Sequence, residues 1–497
     1  MGDGSAGRAA TGVRGLDDVL GGGLLAGRSF LMEGEPGSGK TTIALQFLMA
    51  GAAQGERGLY VTLSETEAEL RDGAASHGWT LPETIEVFEL VPPESLLDAD
   101  QQQSLLYSSD LELGETTRMI FEAIERVQPA RIVIDSLSEI RLLAQGSLRY
   151  RRQILALKHY FARHGATVLM LDDLTTEPDD KTVHSVVHGV VTLEKMVRDY
   201  GPGRRRLRIG KMRGQTFAGG YHDMAILTGG VAVFPRLVAL GESRAFERRK
   251  LTSGIEAFDA LLGGGVQQGS SALVLGPSGS GKSVFTLQFV AAALGRGERA
   301  AVFVFDEELD LLFDRGRVLG YDFAAHRAAG RLVVTQVDAA ELSPGEFAHQ
   351  VAALARDDDV RTVVLDSLNG YMAAMPEERM LLLHVHELLQ YLNRLGVTTF
   401  MTMAQHGLVG SMNSPVDLTY LADTVILLRY FEAMGRVRRA VSVIKKRTGR
   451  HEATIREYDI GPEGLRLGEP LDRFQGVLRG TPEYLGDDMP PMARRAP

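Results

Sequence analysis

Along the chain, short apolar runs rich in β-branched residues alternate with longer stretches whose apolar residues recur at helical spacing. In the first half the runs fall at 58–63, 85–90, 131–134 and 167–171, and the helical spacing at 117–127 and 150–164. Runs apolar at successive positions bury both faces of a strand, so they predict a mostly parallel sheet flanked by helices on both sides. Further on, 207–211 and 225–227 predict hairpin strands added to the edge of that sheet.

The pattern occurs twice. Residues 12–46 read GVRGLDDVLGGGLLAGRSFLMEGEPGSGKTTIALQ, and residues 254–288 read GIEAFDALLGGGVQQGSSALVLGPSGSGKSVFTLQ. A constant offset of 242 carries Lys40 onto Lys282 and Glu65 onto Glu307. Later, the strand 132–137 (IVIDSL) matches 363–368 (VVLDSL), and Lys211-Met212-Arg213 matches Lys445-Lys446-Arg447. Landmarks recurring in one order mark a tandem duplication. The polar segment 241–250 (GESRAFERRK) is the expected boundary, which gives domains at 11–245 and 246–482. Residues 1–10 and 483–497 are expected to be tails, the latter mobile.

A chain of 497 residues suits two domains of this size. Its 44% hydrophobic and 24% charged residues are those of a soluble globular protein. No apolar run approaches the roughly 20 residues of a membrane helix, and the first residues lack the features of a signal peptide. With no cysteine, disulfides, thiolate zinc sites and a cysteine nucleophile are excluded. A cytoplasmic location without membrane partners is the expectation. A net charge of −10 argues against nucleic acid as a partner. The run Arg204-Arg205-Arg206-Leu207-Arg208 is a local exception, either a solvated strand edge or a basic patch facing a nucleotide or neighbouring subunit.

Two segments fit the phosphate-binding pattern G-x-x-x-x-G-K-[ST]. The first is Gly34-Glu35-Pro36-Gly37-Ser38-Gly39-Lys40-Thr41, followed by Thr42. The second is Gly276-Pro277-Ser278-Gly279-Ser280-Gly281-Lys282-Ser283, followed by Val284. The glycines let backbone N–H groups curl around a β-phosphate, and the helix that starts there adds its positive end. Lys40 and Lys282 are placed for the β- and γ-phosphates, and Thr41 and Ser283 for a hydroxyl to Mg2+. ATP and Mg2+ are therefore expected at two sites per chain. Asp135 and Asp366 end apolar strands and match the acid that orients Mg2+ through water.

An attacking water needs a carboxylate near the γ-phosphate. Ser64-Glu65 and Asp306-Glu307 stand at the end of the strand after each loop, although Glu65 or Glu307 could equally open a helix as an N-terminal charge. Lys211 and Arg213, like Lys445 and Arg447, lie one residue apart on predicted edge strands and project to one face. Such a fork suits a γ-phosphate, supplied in trans around a ring. The alternative is a pair of solvated surface cations.

Together these landmarks resemble the KaiC family of RecA/DnaB-like ATPases: G-x-x-x-x-D-x-x-x-G-G-G before each loop, the acid-bearing strand, I-V-I-D-S and K-x-R. The C-terminal Phe474-Gln475-Gly476-Val477-Leu478-Arg479-Gly480-Thr481-Pro482 is similar to the ending of tandem KaiC-like proteins. The resemblance covers nearly the whole chain. It implies two tandem RecA-like domains, a homohexameric double ring with ATP between subunits, and a serine/threonine autokinase and autophosphatase in the second domain. It also implies signalling partners such as KaiB-like proteins or histidine kinases.

Three features depart from the family. Where it carries paired glutamates, this chain has Ser64-Glu65 and Asp306-Glu307, so the first domain lacks one acid and the second has a shorter kinase base. The phosphorylated Ser-Thr pair aligns with Thr419-Tyr420, which leaves Thr419 as the candidate phosphoacceptor. Phe217 stands where the first domain of the family carries a histidine.

Three functional classes follow: an ATPase and autokinase in bacterial signalling, a DNA-dependent recombinase or helicase, and a nucleotide-dependent scaffold with little turnover. A recombinase of the RadA type would carry a cysteine zinc finger, absent here. The first class is preferred.

Overall fold

The structure, a computed structural model, describes residues 7–90, 105–174, 182–197, 201–237, 243–374, 378–405, 418–461, 464–479 and 482–485. By contacts the chain divides into two compact units, Met1–Arg236 and Leu237–Pro497. Arg244 N–H donates to Arg394 O at 3.2 Å, so the polar segment expected as a linker is tied to the second unit. At the N-terminal end, Arg8 and Ala9 are not loose chain but pair with Leu25 and Leu24. Glu483 and Tyr484 likewise pair with Gln475 and Phe474, so the C-terminal tail begins as a strand. Residues 486–497, expected to be mobile, lie outside the described residues.

Each unit holds one nine-stranded sheet. In the first the strands are β1 (Ser29–Gly34), β2 (Gly58–Thr62), β3 (Ile85–Glu89), β4 (Arg131–Asp135), β5 (Thr167–Asp173), β6 (Gly189–Met196), β7 (Arg204–Met212), β8 (Tyr221–Leu227) and β9 (Gly230–Phe234). Their order is β9-β8-β7-β6-β1-β5-β4-β2-β3, with β1 to β6 parallel and the other three added antiparallel.

The second sheet comprises β10 (Ser271–Gly276), β11 (Arg299–Val304), β12 (Leu332–Gln336), β13 (Val360–Asp366), β14 (Thr398–Ala404), β15 (Thr424–Ala433), β16 (Arg436–Lys446), β17 (Arg456–Gly461) and β18 (Gly464–Pro470). Its order is β18-β17-β16-β15-β10-β14-β13-β11-β12, the same topology. These are two tandem RecA-like α/β domains.

Burial explains the unbroken apolar runs. On β1, Phe30 and Met32 join the core on one face, with Phe47 and Leu48, while Leu31 joins the core on the other, with Ile124 and Phe161. A strand covered on both faces has no polar side to display. The helix expected at 117–127 starts earlier, at Leu105, and runs to Val127. Ser108, Ser109 and Gly114 dilute the apolar spacing of its first half. The hairpin strand read at 207–211 has β6 on one side and β8 on the other, so it is not the sheet edge. However, β8 pairs only with Arg205–Arg208, which leaves the end carrying Lys211 bonded to β6 alone.

One buried cation ties the first unit together. Arg131, 1% exposed at the start of β4, donates from Nε to Glu56 at 2.5 Å and from one terminal nitrogen to Ala10 O and Phe47 O at 2.6 and 2.7 Å. Its guanidinium lies 4.8 Å from the centre of the Phe47 ring. Replacing it by methionine strands two carbonyls and a carboxylate, which should cost about 3 kcal/mol. The single tryptophan, Trp79, reports unfolding of this unit alone. A loss below about 1 kcal/mol in urea unfolding of Arg131→Met followed by Trp79 fluorescence would contradict the assignment.

Candidate functional site

Both phosphate-binding loops leave the C-terminal end of their sheet's central strand, β1 or β10, the end at which open α/β sheets bind ligands. Each runs straight into a helix, α1 (Lys40–Ala52) or α2 (Lys282–Gly295). Gly39 and Gly281 precede these helices at φ 105° and 95°, and no side chain caps either one. A Cβ at Gly39 would sit 3.1 Å from Ile226 Cδ1 as well as in a strained conformation. The first-turn N–H groups of both helices are thus left for an anion.

In the first site the Lys40 ammonium, 7% exposed, donates to Gly34 O at 2.6 Å and Glu35 O at 3.1 Å and pairs with Asp173 at 2.7 Å. Asp135 accepts from the Tyr60 hydroxyl at 2.5 Å and from Thr41 Oγ1 at 3.4 Å. Burial pushes the Asp135 carboxyl above its usual range, and the Tyr60 hydrogen bond opposes that shift. Burial also pushes Tyr60 well up, reinforced by the Asp135 charge. Glu65 stands just before Thr66, which caps helix α3 (Glu67–Ser76) in a reciprocal box with Glu69, so Glu65 itself is not a first-turn charge of that helix. Burial raises its carboxyl, followed by the charges of Asp135, Glu69 and Asp173. Thr41, Thr42, Glu65 and His77 line a cleft of about 290 Å³.

The second site gathers its groups around one larger cleft of about 560 Å³, lined by Lys282, Ser283, Asp306, Glu307 and Asp366 among others. Lys282 donates to Pro277 O at 2.9 Å, and burial lowers its ammonium while the Asp366 charge opposes this. Asp366 accepts from Thr402, and Asp306 from Ser367 Oγ at 2.7 Å. Glu307 is ion-paired with Arg315 of helix α4 (Leu309–Val318). In both units the peptide after the strand-ending acid is cis.

The K-x-R cations are not placed at their own chain's clefts. Lys211 donates to His184 O and Val187 O, and Arg213 to Ser185 O at 3.1 Å. Lys445 donates to Thr419 O at 2.8 Å and Ala422 O at 2.9 Å, and Arg447 to Tyr420 O. The fork holds the equivalent segment in each unit, and in the second that segment carries Thr419. Phe217 is 36% exposed.

The arginine run is largely spent within the fold. Arg206 pairs with Glu194 at 2.8 Å and lies 3.8 Å over the Tyr221 ring, while Arg205 donates to the loop carbonyl of Gly37 at 3.2 Å. Sequence reasoning singled out the run that carries Arg205 but missed Tyr60, Asp173 and Arg315. Asp173 could have been found, since it closes an apolar parallel strand just as Asp135 does.

The sequence model of the family described as "ATPase: KaiC" matches residues 9–238 and again 251–472. The chain belongs to the KaiC ATPase family. Its similarity to individual KaiC proteins is distant but nearly end to end. It is 28% identical over 483 residues to the "Circadian clock protein KaiC3" of Synechocystis sp., covering 95% of this chain and 94% of that one. To the "Circadian clock oscillator protein KaiC" of Prochlorococcus marinus it is 29% identical over 492 residues, covering 96% of each. For the protein of that name from Thermostichus vulcanus the values are 29% over 491 residues, with 96% and 92% covered. The chain is thus a nucleotide-binding ATPase of the KaiC type, and no helix among its described residues is long and apolar enough to cross a membrane.

Proposed function

We propose that the chain is a Mg-ATP-dependent ATPase that assembles as a ring with nucleotide between subunits, and that its second domain is a serine/threonine autokinase acting in bacterial signalling or clock-like regulation. The observation that carries this reading is the second cleft, where lysine, hydroxyl, strand-ending acid and two further carboxylates face one space. Lys40 and Lys282 bind the phosphates, and Glu65, Glu307 and Asp306 hold or accept the proton of the attacking oxygen.

The donor set fits Mg2+. Thr41 Oγ1 lies 3.4 Å from the Asp135 carboxylate, and among the described residues no cluster of three or more His, Cys, Asp or Glu forms a self-sufficient metal site. One hydroxyl and one acid suit a cation that keeps several waters and takes its remaining ligands from substrate phosphates. Thr41 with Asp135, and Ser283 with Asp366, would hold it there. Bound Mg2+ would neutralise charge on the phosphates.

Hydrogen bonds from Lys445 and Arg447 to the Thr419 and Tyr420 carbonyls support the autokinase reading, because a fork directed toward a neighbour's nucleotide would carry Thr419 with it. In that transfer the Thr419 hydroxyl attacks the γ-phosphorus, the bond to the leaving ADP oxygen breaks, and the hydroxyl proton passes to Asp306 or Glu307. Phosphopeptide mapping after incubation with Mg-ATP should find phosphate on Thr419, absent in a chain carrying both Asp306→Asn and Glu307→Gln. ATP turnover without phosphate on Thr419 would remove the kinase from the account and leave the ATPase.

A further inference from the structure

The two sites differ in what holds the P-loop lysine. An ammonium has three N–H donors. At Lys40 two of them go to Gly34 O and Glu35 O, and the ammonium is ion-paired with the Asp173 carboxylate at 2.7 Å. A bound β- or γ-phosphate needs at least one of those donors. The two carbonyls belong to the loop that wraps the phosphate, whereas Asp173 is a side chain one-third exposed at the end of a neighbouring strand. Its backbone is anchored, since Asp173 N–H donates to Ser138 Oγ at 3.2 Å, so its carboxylate can turn while the strand stays in place.

The sheet register identifies its counterpart. Asp173 pairs with Gly34, the first glycine of the first loop. In the second unit Ala404 pairs with Gly276, the first glycine of the second loop, and lines that cleft. The second site therefore has a methyl group where the first has a carboxylate. Among the described residues no carboxylate is ion-paired with Lys282.

We propose that Asp173 is a positioning residue of the first site: it occupies Lys40 until a di- or triphosphate displaces it, which weakens nucleotide binding there relative to the second site. The inference rests on the reading of the first loop as a nucleotide site. It assigns the two halves different resting affinities through one side chain. Each time the phosphates leave, the carboxylate returns to the lysine, so release of ADP from the first site is favoured.

The test uses the full chain carrying Lys282→Ala, which confines nucleotide to the first site, and a fluorescent ADP with Mg2+ followed by anisotropy. Adding Asp173→Asn should tighten binding on the order of tenfold, because the competing charge-assisted contact is gone. Asp173→Glu, which keeps the charge, should stay close to the parent. The reciprocal Ala404→Asp in a Lys40→Ala chain should weaken the second site by a similar factor. A disturbed fold would weaken binding at either site, so tightening is not a trivial outcome. Unchanged or weaker binding by Asp173→Asn overturns the proposal while leaving the nucleotide site in place. A Lys282→Ala parent that binds no ADP overturns both.

Discussion

Lys40→Ala and Lys282→Ala should each reduce nucleotide bound to the full chain from two per chain to one. Lys40 is buried and Lys282 half-buried at the base of their loops, where each ammonium donates to loop carbonyls. An alanine removes the ammonium from the base of the loop, and losing a charge-assisted contact in a site partly shielded from water costs several kcal/mol. The two variants should differ in assembly. Ring formation is expected to depend mainly on nucleotide in the first domain, so Lys40→Ala with ATP should elute as a smaller species by size exclusion with light scattering, and Lys282→Ala should not. An unchanged oligomer for Lys40→Ala would refute that division of labour.

Glu307→Gln should keep ATP bound at the second site and lower its turnover by roughly a hundredfold or more, the usual range for loss of a positioned proton acceptor. Glu65→Gln should do the same at the first. The two carboxylates are held differently. Glu307 is fixed by Arg315, whose counterpart at the 242-residue offset is Gly73, so the first domain has no such cation. Glu65 instead sits where burial and three neighbouring acids raise its carboxyl. Measured in single-site chains, turnover within twofold of the parent for either glutamine variant would remove that residue from the chemistry.

Much of the fold was legible because its signals are local. The two loops announce themselves through glycine and lysine spacing within eight residues, and the parallel strands through unbroken apolar runs. The duplication then fixed which acids to compare. What stayed hidden depends on strands that meet only in the folded sheet. Asp173 reaches Lys40 because β5 lies beside β1, a neighbour relation that spacing along the chain does not encode. Tyr60 looked like one more apolar strand residue, yet its hydroxyl meets Asp135 across the β2–β4 pair. The direction of K-x-R was equally out of reach. Its residues are distinctive, but their bonds to the carbonyls of 184–187 and 419–422 join parts of the chain that only the folded sheet brings together. Phosphate chemistry and the unequal acids, Ser64-Glu65 against Asp306-Glu307, were therefore readable from residue types, and the carboxylate of Asp173 against the methyl of Ala404 beside the two loops was not.

The central claim is that one chain holds two nucleotide sites of unequal chemistry. Equilibrium dialysis of the full chain with Mg2+ and a slowly hydrolysed ATP analogue tests it most directly. The account predicts two molecules bound per chain with distinguishable affinities, the weaker class lost in Lys40→Ala. A total of one per chain, or two indistinguishable sites, would contradict it.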